Sequence, residues 1–408
     1  MTTEISRTAL PLPTLADTER AFAHVSRGKV EAFEALGMPL VLGAREGARF
    51  QDAYSGRWYW NCHCNGGVFN LGHRPPAVVE AVRAALETVD VGNHYFDSPW
   101  RAELSRRLAA STGGALEGVV LSPSGGEATD VALKFARAHT GRSGVVSAVG
   151  GYHGHTGLAL ATGEARFRER FHHELPGFAQ VPFNDAGALD RAVGDATAAV
   201  ILEPIPATLG MPLPQPGYLT GVERVCHERG ALLVLDEVQT GLGRSGTMWC
   251  YEQEDVRPDI VTTGKGLSGA VYPMAATLMR RDILDVLAED PFAHIATYGG
   301  AEVGCAAALA VLDAVEAPGF LDRVGELGER CADGLADLGC EVRRRGLFIG
   351  LKWPGAGDGL TASRRLFDGG IWAVPAGNDP SVTQYLPPLV LTDAEAEELI
   401  AATRAALA

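Results

Sequence analysis

The chain is short of positive charge. Its 408 residues carry 35 lysines and arginines against 50 aspartates and glutamates, a formal charge of −15. Nucleic-acid affinity rests on cations that neutralise phosphates, so this balance argues against a polynucleotide partner and favours solubility. Long apolar runs are missing too. No stretch reaches membrane-span length without charge or glycine, and Met1 to Pro13 holds no apolar run of signal-peptide length, so the expectation is a cytoplasmic protein with no membrane partner. A disulfide framework is absent: Cys62, Cys64, Cys226, Cys250, Cys305, Cys331 and Cys340 are odd in number and scattered, the pattern of reduced, mostly buried thiols. Around Cys62-His63-Cys64 no second CxxC or HxxxH completes a tetrahedral set. If these residues lie on a strand, the two thiols share a face and His63 opposes them, which suits packing or pocket lining rather than metal. A dinucleotide fingerprint is lacking as well, since no GxGxxG follows an early strand.

What is present is enough for a large core: 46% hydrophobic residues, with 50 glycines to make tight turns. From Pro13 to Gly47 the chain reads as amphipathic and irregular, and FQDAYSGRWYWNC reads as a hairpin around Ser55-Gly56. Pro75 and Pro76 set up a helix, after which strands and helical patterns alternate. GVVLSPSGGEATDVALKFARAH gives strand, glycine turn and helix; GVVSAVGG, AAVILEPI and LLVLDEV give further strands. Such alternation means an α/β fold, a mostly parallel sheet with helices on both faces. After Ala314 come an amphipathic helix, the strand-like EVRRRGLFIGLKW and IWAVPAGN, and a closing helix that Thr392 can cap. The expected division is a large domain over residues 71–314 and a smaller α+β domain built from both ends, 1–70 and 315–408.

The chain is organised around Leu232 to Gly269. Two short apolar runs there each deliver an ionisable residue just past a strand's C-terminal end, Asp236 and Lys265, where ligands sit in open α/β sheets. A structural ion pair is one reading of the two. The other is a Schiff-base lysine for an aldehyde cofactor, of which pyridoxal 5′-phosphate is the common case. That cofactor wants a carboxylate for its pyridine nitrogen, clustered amides for its phosphate and an aromatic face for its ring. Asp236 can hold the nitrogen protonated, with Val238 against a ring face and Gln239 donating to the phenolic oxygen. Ser124-Gly125-Gly126-Glu127-Ala128 lies between strand and helix, where amides point outward to an anion, though taken without the lysine it reads more readily as a plain strand-to-helix turn. In Gly151-Tyr152-His153-Gly154, Tyr152 can stack; His153 and His155 have no adjoining carboxylate or cysteine to make a metal set.

Together DEVQTGLGRSG, PDIVTTGKG, SGGEA, GYHGHT, LEPI, HIATYGG and the late PPL resemble the class III aminotransferases, pyridoxal-phosphate enzymes that include ornithine, acetylornithine and 4-aminobutyrate aminotransferases. The likeness runs from about Phe50 to the end. It implies fold type I, a homodimer with shared active sites and Lys265 as the lysine bonded to the cofactor. It also implies phosphate binding by Gly125 and Gly126, stacking by Tyr152, Asp236 at the pyridine nitrogen and Glu203 close behind the cofactor. Thr297 would serve the phosphate of the neighbouring subunit.

The departures concern the substrate. Glutamate-using members resemble one another in an EPIQGEGG stretch whose second glutamate pairs with an arginine before the late PPL; here Thr208 and Gln384 stand at those positions. Losing both together leaves a neutral site instead of a stranded charge, and an amide cannot replace a bidentate arginine fork. Asn65-Gly66-Gly67 and Phe69 fall, by resemblance, at the substrate entrance, where two glycines either widen the pocket or serve a loop needing positive φ. The expected activity is amino transfer to or from a small-molecule or modified-peptide amine, ketone or aldehyde without a clamped α-carboxylate. The alternative is a racemase, epimerase or aminomutase of the same fold.

Overall fold

The computed structural model describes residues 14–92 and 96–408. On the N-terminal side, β1 (Leu42–Glu46), β2 (Arg49–Asp52) and β3 (Trp58–Asn61) form an antiparallel meander. Its second turn contains Ser55 and Gly56, whose φ is +73°, as the hairpin reading expected. The middle of the chain supplies β4 (Gly118–Ser122), β5 (Gly144–Ala148), β6 (Phe178–Val181), β7 (Thr197–Leu202), β8 (Leu232–Asp236), β9 (Ile260–Thr263) and β10 (Ala275–Met279). The tail adds β11 (Glu341–Arg345), β12 (Phe348–Lys352), β13 (Ile371–Trp372), β14 (Val374–Pro375) and β15 (Val382–Tyr385).

The central sheet has seven strands in the order β4-β10-β9-β8-β7-β5-β6. All neighbours are parallel except β10, which runs antiparallel to both β4 and β9. Strands β5, β7 and β8 are buried along their whole length, which is why GVVSA, TAAVIL and LLVLD read as nearly continuous apolar runs instead of alternating. Helices cover both faces. The one over Gly125–Thr140 starts at the Ser124 cap, whose hydroxyl accepts from the Glu127 amide, and stops at Gly141 with φ +68°.

A second apolar core joins the two ends of the chain: Trp60 and Cys62 pack with Val324, Leu327, Cys331, Leu366, Tyr385 and Leu399. Two four-stranded sheets serve it, β1-β2-β3-β13 and β11-β12-β15-β14. Residues 1–13, assigned from sequence to the same lobe, lie outside the described residues. Arg244 ties this core to the central sheet. Fully buried, it donates to Asn70 Oδ1 at 2.6 and 3.1 Å and to the carbonyls of Leu347 and Pro387 at 3.1 and 2.5 Å, so its charge is satisfied by neutral acceptors from three parts of the chain.

Three local expectations change. The segment taken as irregular contains a helix over Leu15–Ala35, broken at Ser26, with none of its side chains buried; its apolar residues alternate with charges too loosely to show a core-facing stripe. IWAVPAGN is two strands, because β13 pairs in parallel with β3 while β14 pairs with β15 in the other sheet. Cys62 and Cys64 do not alternate along a strand: β3 ends at Asn61, and Cys64 at φ +48° opens a short turn capped by Asn61 Oδ1. Both thiols are fully buried. Among the described residues no single helix is long and apolar enough to cross a membrane, and no cluster of histidine, cysteine and carboxylate side chains could hold a metal ion.

Candidate active site

Four parallel strands end side by side and each hands one residue to the same place. Past β5 comes Tyr152, past β7 comes Glu203, β8 ends in Asp236, and Lys265 stands two residues beyond β9. Short apolar strands followed by glycine-rich turns put polar groups at a sheet's carboxyl edge, and helices on both faces exclude water from it.

Asp236 is 4% exposed. Its Oδ1 accepts from the Val238 amide at 3.0 Å and from Thr262 Oγ1 at 3.2 Å, and its Oδ2 accepts from His153 Nδ1 at 2.8 Å. His153 is fully buried. Burial alone would lower its pKa, but the hydrogen bond and charge of Asp236, together with the charge of Glu203, outweigh that and raise it. Glu203 anchors the same loop, accepting from the Tyr152 amide at 2.8 Å and the Ala207 amide at 3.3 Å. Burial lifts its pKa to about 7, against a downward pull from His153.

Lys265 sits in a left-handed conformation, φ +41°. Its burial holds the amine below the ordinary lysine range, while Asp236 and Glu203 pull the other way. Gly66, with φ +69°, lies directly against it: a Cβ there would come within 3.1 Å of Lys265 Cε and 2.9 Å of Gln239 Oε1. The positive-φ reading therefore holds at Gly66, whose missing Cβ also lets Lys265 and Gln239 pack against it.

The site contains polar groups that nothing in the chain satisfies. Gln239 Oε1 and His153 Nε2 are buried without a partner. Among the described residues no acceptor faces the amides of Gly125 and Gly126, the first of the Gly125–Thr140 helix. Gly125 also lies under Val238, where a Cβ would approach Cγ1 to 3.0 Å. A buried unpartnered acyl oxygen, free amides at a helix N-terminus, a half-buried tyrosine and a buried carboxylate near a lysine fit a flat, protonated, phosphorylated aldehyde.

The other expected residues are placed as follows. Thr208 Oγ1 donates to the Gly150 carbonyl at 2.7 Å, and Asn378 Nδ2 donates to the same oxygen at 2.9 Å. Gln384 is 6% exposed, paired on β15 with Gly350 and Val374. Phe69 stacks on His73, ring centroids 4.1 Å apart. Thr297 is outside the cluster, exposed in the segment that also exposes Phe292, Ile295 and Tyr298. Sequence reading missed the role of His153. Its partner is 83 residues away, and the only local signal was its position beside Tyr152 in a loop after a strand.

Known proteins share this arrangement of strands. The chain is 46% identical over 389 residues to an uncharacterized aminotransferase of Archaeoglobus fulgidus, covering 94% of this chain and 92% of that protein. The fold superimposes on the ornithine aminotransferase of Toxoplasma gondii with a TM-score of 0.88 at 28% identity, over 98% of this chain and 96% of that one. It is also similar to an amine transaminase from an uncultivated Pseudomonas species solved in its pyridoxal-phosphate-bound form, with a TM-score of 0.82, 27% identity and coverage of 90% and 94%. Residues 32–407 match the family model of class-III aminotransferases, extending the likeness beyond Phe50 toward the N-terminus. The chain therefore belongs to the class-III aminotransferases, enzymes of fold type I that depend on pyridoxal phosphate.

Proposed function

We propose that the enzyme transfers an amino group to or from an amine, ketone or aldehyde that carries no arginine-clamped α-carboxylate. One observation carries this reading: the two positions of the expected clamp are neutral, and Thr208 is otherwise engaged. Thr208 gives its hydroxyl to the Gly150 carbonyl, and Gln384 is buried with no ion pair. A carboxylate brought against Thr208 and Gln384 would lose water and gain no charge from either residue, a cost of several kcal/mol by order of magnitude, roughly the effective desolvation penalty of one ion.

When bound, pyridoxal phosphate supplies an aldehyde for the amine and an electron-withdrawing ring. Asp236 is the group that would keep a ring nitrogen protonated, and His153 holds that carboxylate in place. Gly125 and Gly126 would offer amides to the phosphate, Val238 and Tyr152 would cover the ring, and Gln239 would serve the phenolic oxygen. Glu203 fixes the Tyr152 backbone. Lys265 would hold the cofactor, and its Nζ is the group that would carry the proton to and from the substrate carbon; its burial favours the neutral amine that this task needs. Phe69 belongs to the entrance loop. Thr297 and the exposed Phe292, Ile295 and Tyr298 support a homodimer in which each copy completes the other's phosphate site. The central sheet with its helices, residues 71–314, is the cofactor-binding domain, and both ends form the smaller one.

The test is a panel of single half-reactions followed by the visible band of the bound cofactor. Primary amines should bleach it, with a carbonyl product, faster than glutamate does. Rapid bleaching by glutamate and none by amines overturns the substrate class. Solvent deuterium entering recovered substrate, with no carbonyl product, points to isomerisation instead.

A further inference from the structure

Beyond Tyr152 lies a basic segment. Residues 165–173 read ARFRERFHH, three arginines and two histidines against one glutamate in a protein whose overall charge is −15. They form a short helix over Ala165–Arg168 and a further turn over Glu169–Phe171, leaving Phe171 exposed. Arg168 is occupied, donating to Glu174 and to the Gly163 carbonyl. Arg166 is not: among the described residues it makes no ion pair and donates no hydrogen bond.

Its position is nonetheless defined. The Arg166 guanidinium carbon lies 4.5 Å from the Phe167 ring centroid. Phe167 meets Tyr152 edge-on, centroids 6.2 Å apart, and His155 at 4.8 Å, while His155 meets Tyr152 at 5.1 Å. The guanidinium is therefore no farther from the Tyr152 ring than these two steps, 6.2 and 4.5 Å, laid end to end. From the other side it lies 3.2 Å from where a Cβ on Gly377 would be, beside Asn378, whose amide holds the Gly150 carbonyl with Thr208. A cation without a counter-ion thus stands where the Tyr152 loop, the Thr208 loop and the β14–β15 loop converge.

We infer that Arg166 is a specificity-determining residue that receives an anionic group, carboxylate or phosphate, at the end of the substrate remote from the reacting amine. This rests on the proposed aminotransferase reading and refines its substrate. Three physical points favour it. A guanidinium presents paired donors that match either anion. Stacking on Phe167 restricts it before any ligand arrives, so less freedom is lost on binding. The aromatic wall of Tyr152, His155 and Phe167 offers apolar cover to the chain joining amine and anion. Charge at the rim with neutral groups inside selects amines whose anion is distant and disfavours those whose anion adjoins the amine.

The experiment compares three primary amines of one chain length, ending in a methyl, a carboxylate or a phosphate, in half-reactions of holoenzyme with native Arg166, Arg166→Gln or Arg166→Lys. Calorimetry with the matching anions that lack an amine measures binding without turnover. The native enzyme should bind at least one anion-ended amine about fivefold more tightly than the neutral one, the scale of one partly exposed ion pair, with the advantage shrinking at high salt. Arg166→Gln should erase that ratio for both the amine and the amine-less anion. Arg166→Lys should restore it more fully for phosphate than for carboxylate if phosphate is the natural group. Equal affinity of the native enzyme for all three amines, or an unchanged ratio in Arg166→Gln, overturns the inference while amine-driven bleaching still upholds the transaminase. If no amine bleaches the cofactor, the transaminase reading fails, and the calorimetric arm still decides whether Arg166 holds an anion.

Discussion

The cofactor end and the substrate end of the site are held together by different forces. Around Asp236 the groups are ionisable and buried, and they adjust one another: Asp236 raises the pKa of His153, and both it and Glu203 resist the loss of charge on Lys265. Around Gly150 the ties are neutral, a threonine hydroxyl and an asparagine amide converging on one backbone carbonyl. In a low-dielectric interior, removing one member of a charged set strands the others, whereas removing one of two neutral donors leaves the acceptor still satisfied. The chemistry at the first end is therefore intolerant of change. The second end can be altered at small cost, so substrate choice can shift while the reaction stays the same.

Lys265→Ala should expose the first end most sharply. With no amine to bond the cofactor or move the proton, activity should fall by about 10⁴-fold or more and the visible band of lysine-bound cofactor should vanish. The cofactor-free variant should unfold no more easily than the parent, since burying the lysine disfavours its charged form. Residual activity within about tenfold of the parent would overturn the assignment of Lys265. Next comes Asp236→Asn. It removes the charge proposed to face the ring nitrogen and the acceptor that raises the pKa of His153, and about 10²- to 10³-fold loss of kcat is expected, the scale of one preorganised electrostatic contact. A loss confined to KM would mean that Asp236 binds without assisting the chemistry.

Glu203→Gln separates charge from anchoring. In the folded chain Glu203 keeps its proton up to about pH 7, against an ordinary 4.5. Its contribution to stability is thus fully present below pH 4.5 and lost as pH rises through 7. The parent should lose stability across that window in cofactor-free form, and Glu203→Gln should flatten the decline. Melting temperatures measured from pH 4.5 to 8 decide it, and identical slopes for the two proteins would remove Glu203 from the charged set.

How legible each end was from sequence follows from the same contrast. Asp236 and Lys265 lie at the ends of β8 and β9, neighbours in space formed by short apolar runs with their own turn residues, so local pattern places them without tertiary information. Ser124 capping the Gly125–Thr140 helix and Thr392 capping the Asp393–Leu407 helix are equally local. The His153–Asp236 bond spans 83 residues and the Asn378–Gly150 bond 228, and no periodicity encodes either. Antiparallel β10 was hidden for a related reason: its position between β4 and β9 is set by pairing with both, while its AATLM sequence has little β-branching. Arg244 looks in sequence like part of a glycine turn; only packing reveals that it joins the central sheet to both chain ends.

The smallest expected effect tests the neutral end most directly. Thr208→Val keeps the shape of the side chain and deletes its donor, yet Asn378 Nδ2 still reaches the Gly150 carbonyl at 2.9 Å. The single change should cost about 0.5–1.5 kcal/mol of unfolding free energy and leave kcat nearly unchanged, because no reacting group moves. Asn378→Ala should behave similarly. Combining them leaves the carbonyl without either side-chain donor, and the double variant should be destabilised by more than the sum of the singles, with an interaction of about 0.5 kcal/mol or above, since the two share one acceptor. Denaturant unfolding of the four proteins measures that interaction. Strict additivity would mean that water replaces each donor independently, in which case Thr208 does not hold the Tyr152 loop and the neutrality of the substrate end would rest on Gln384 alone.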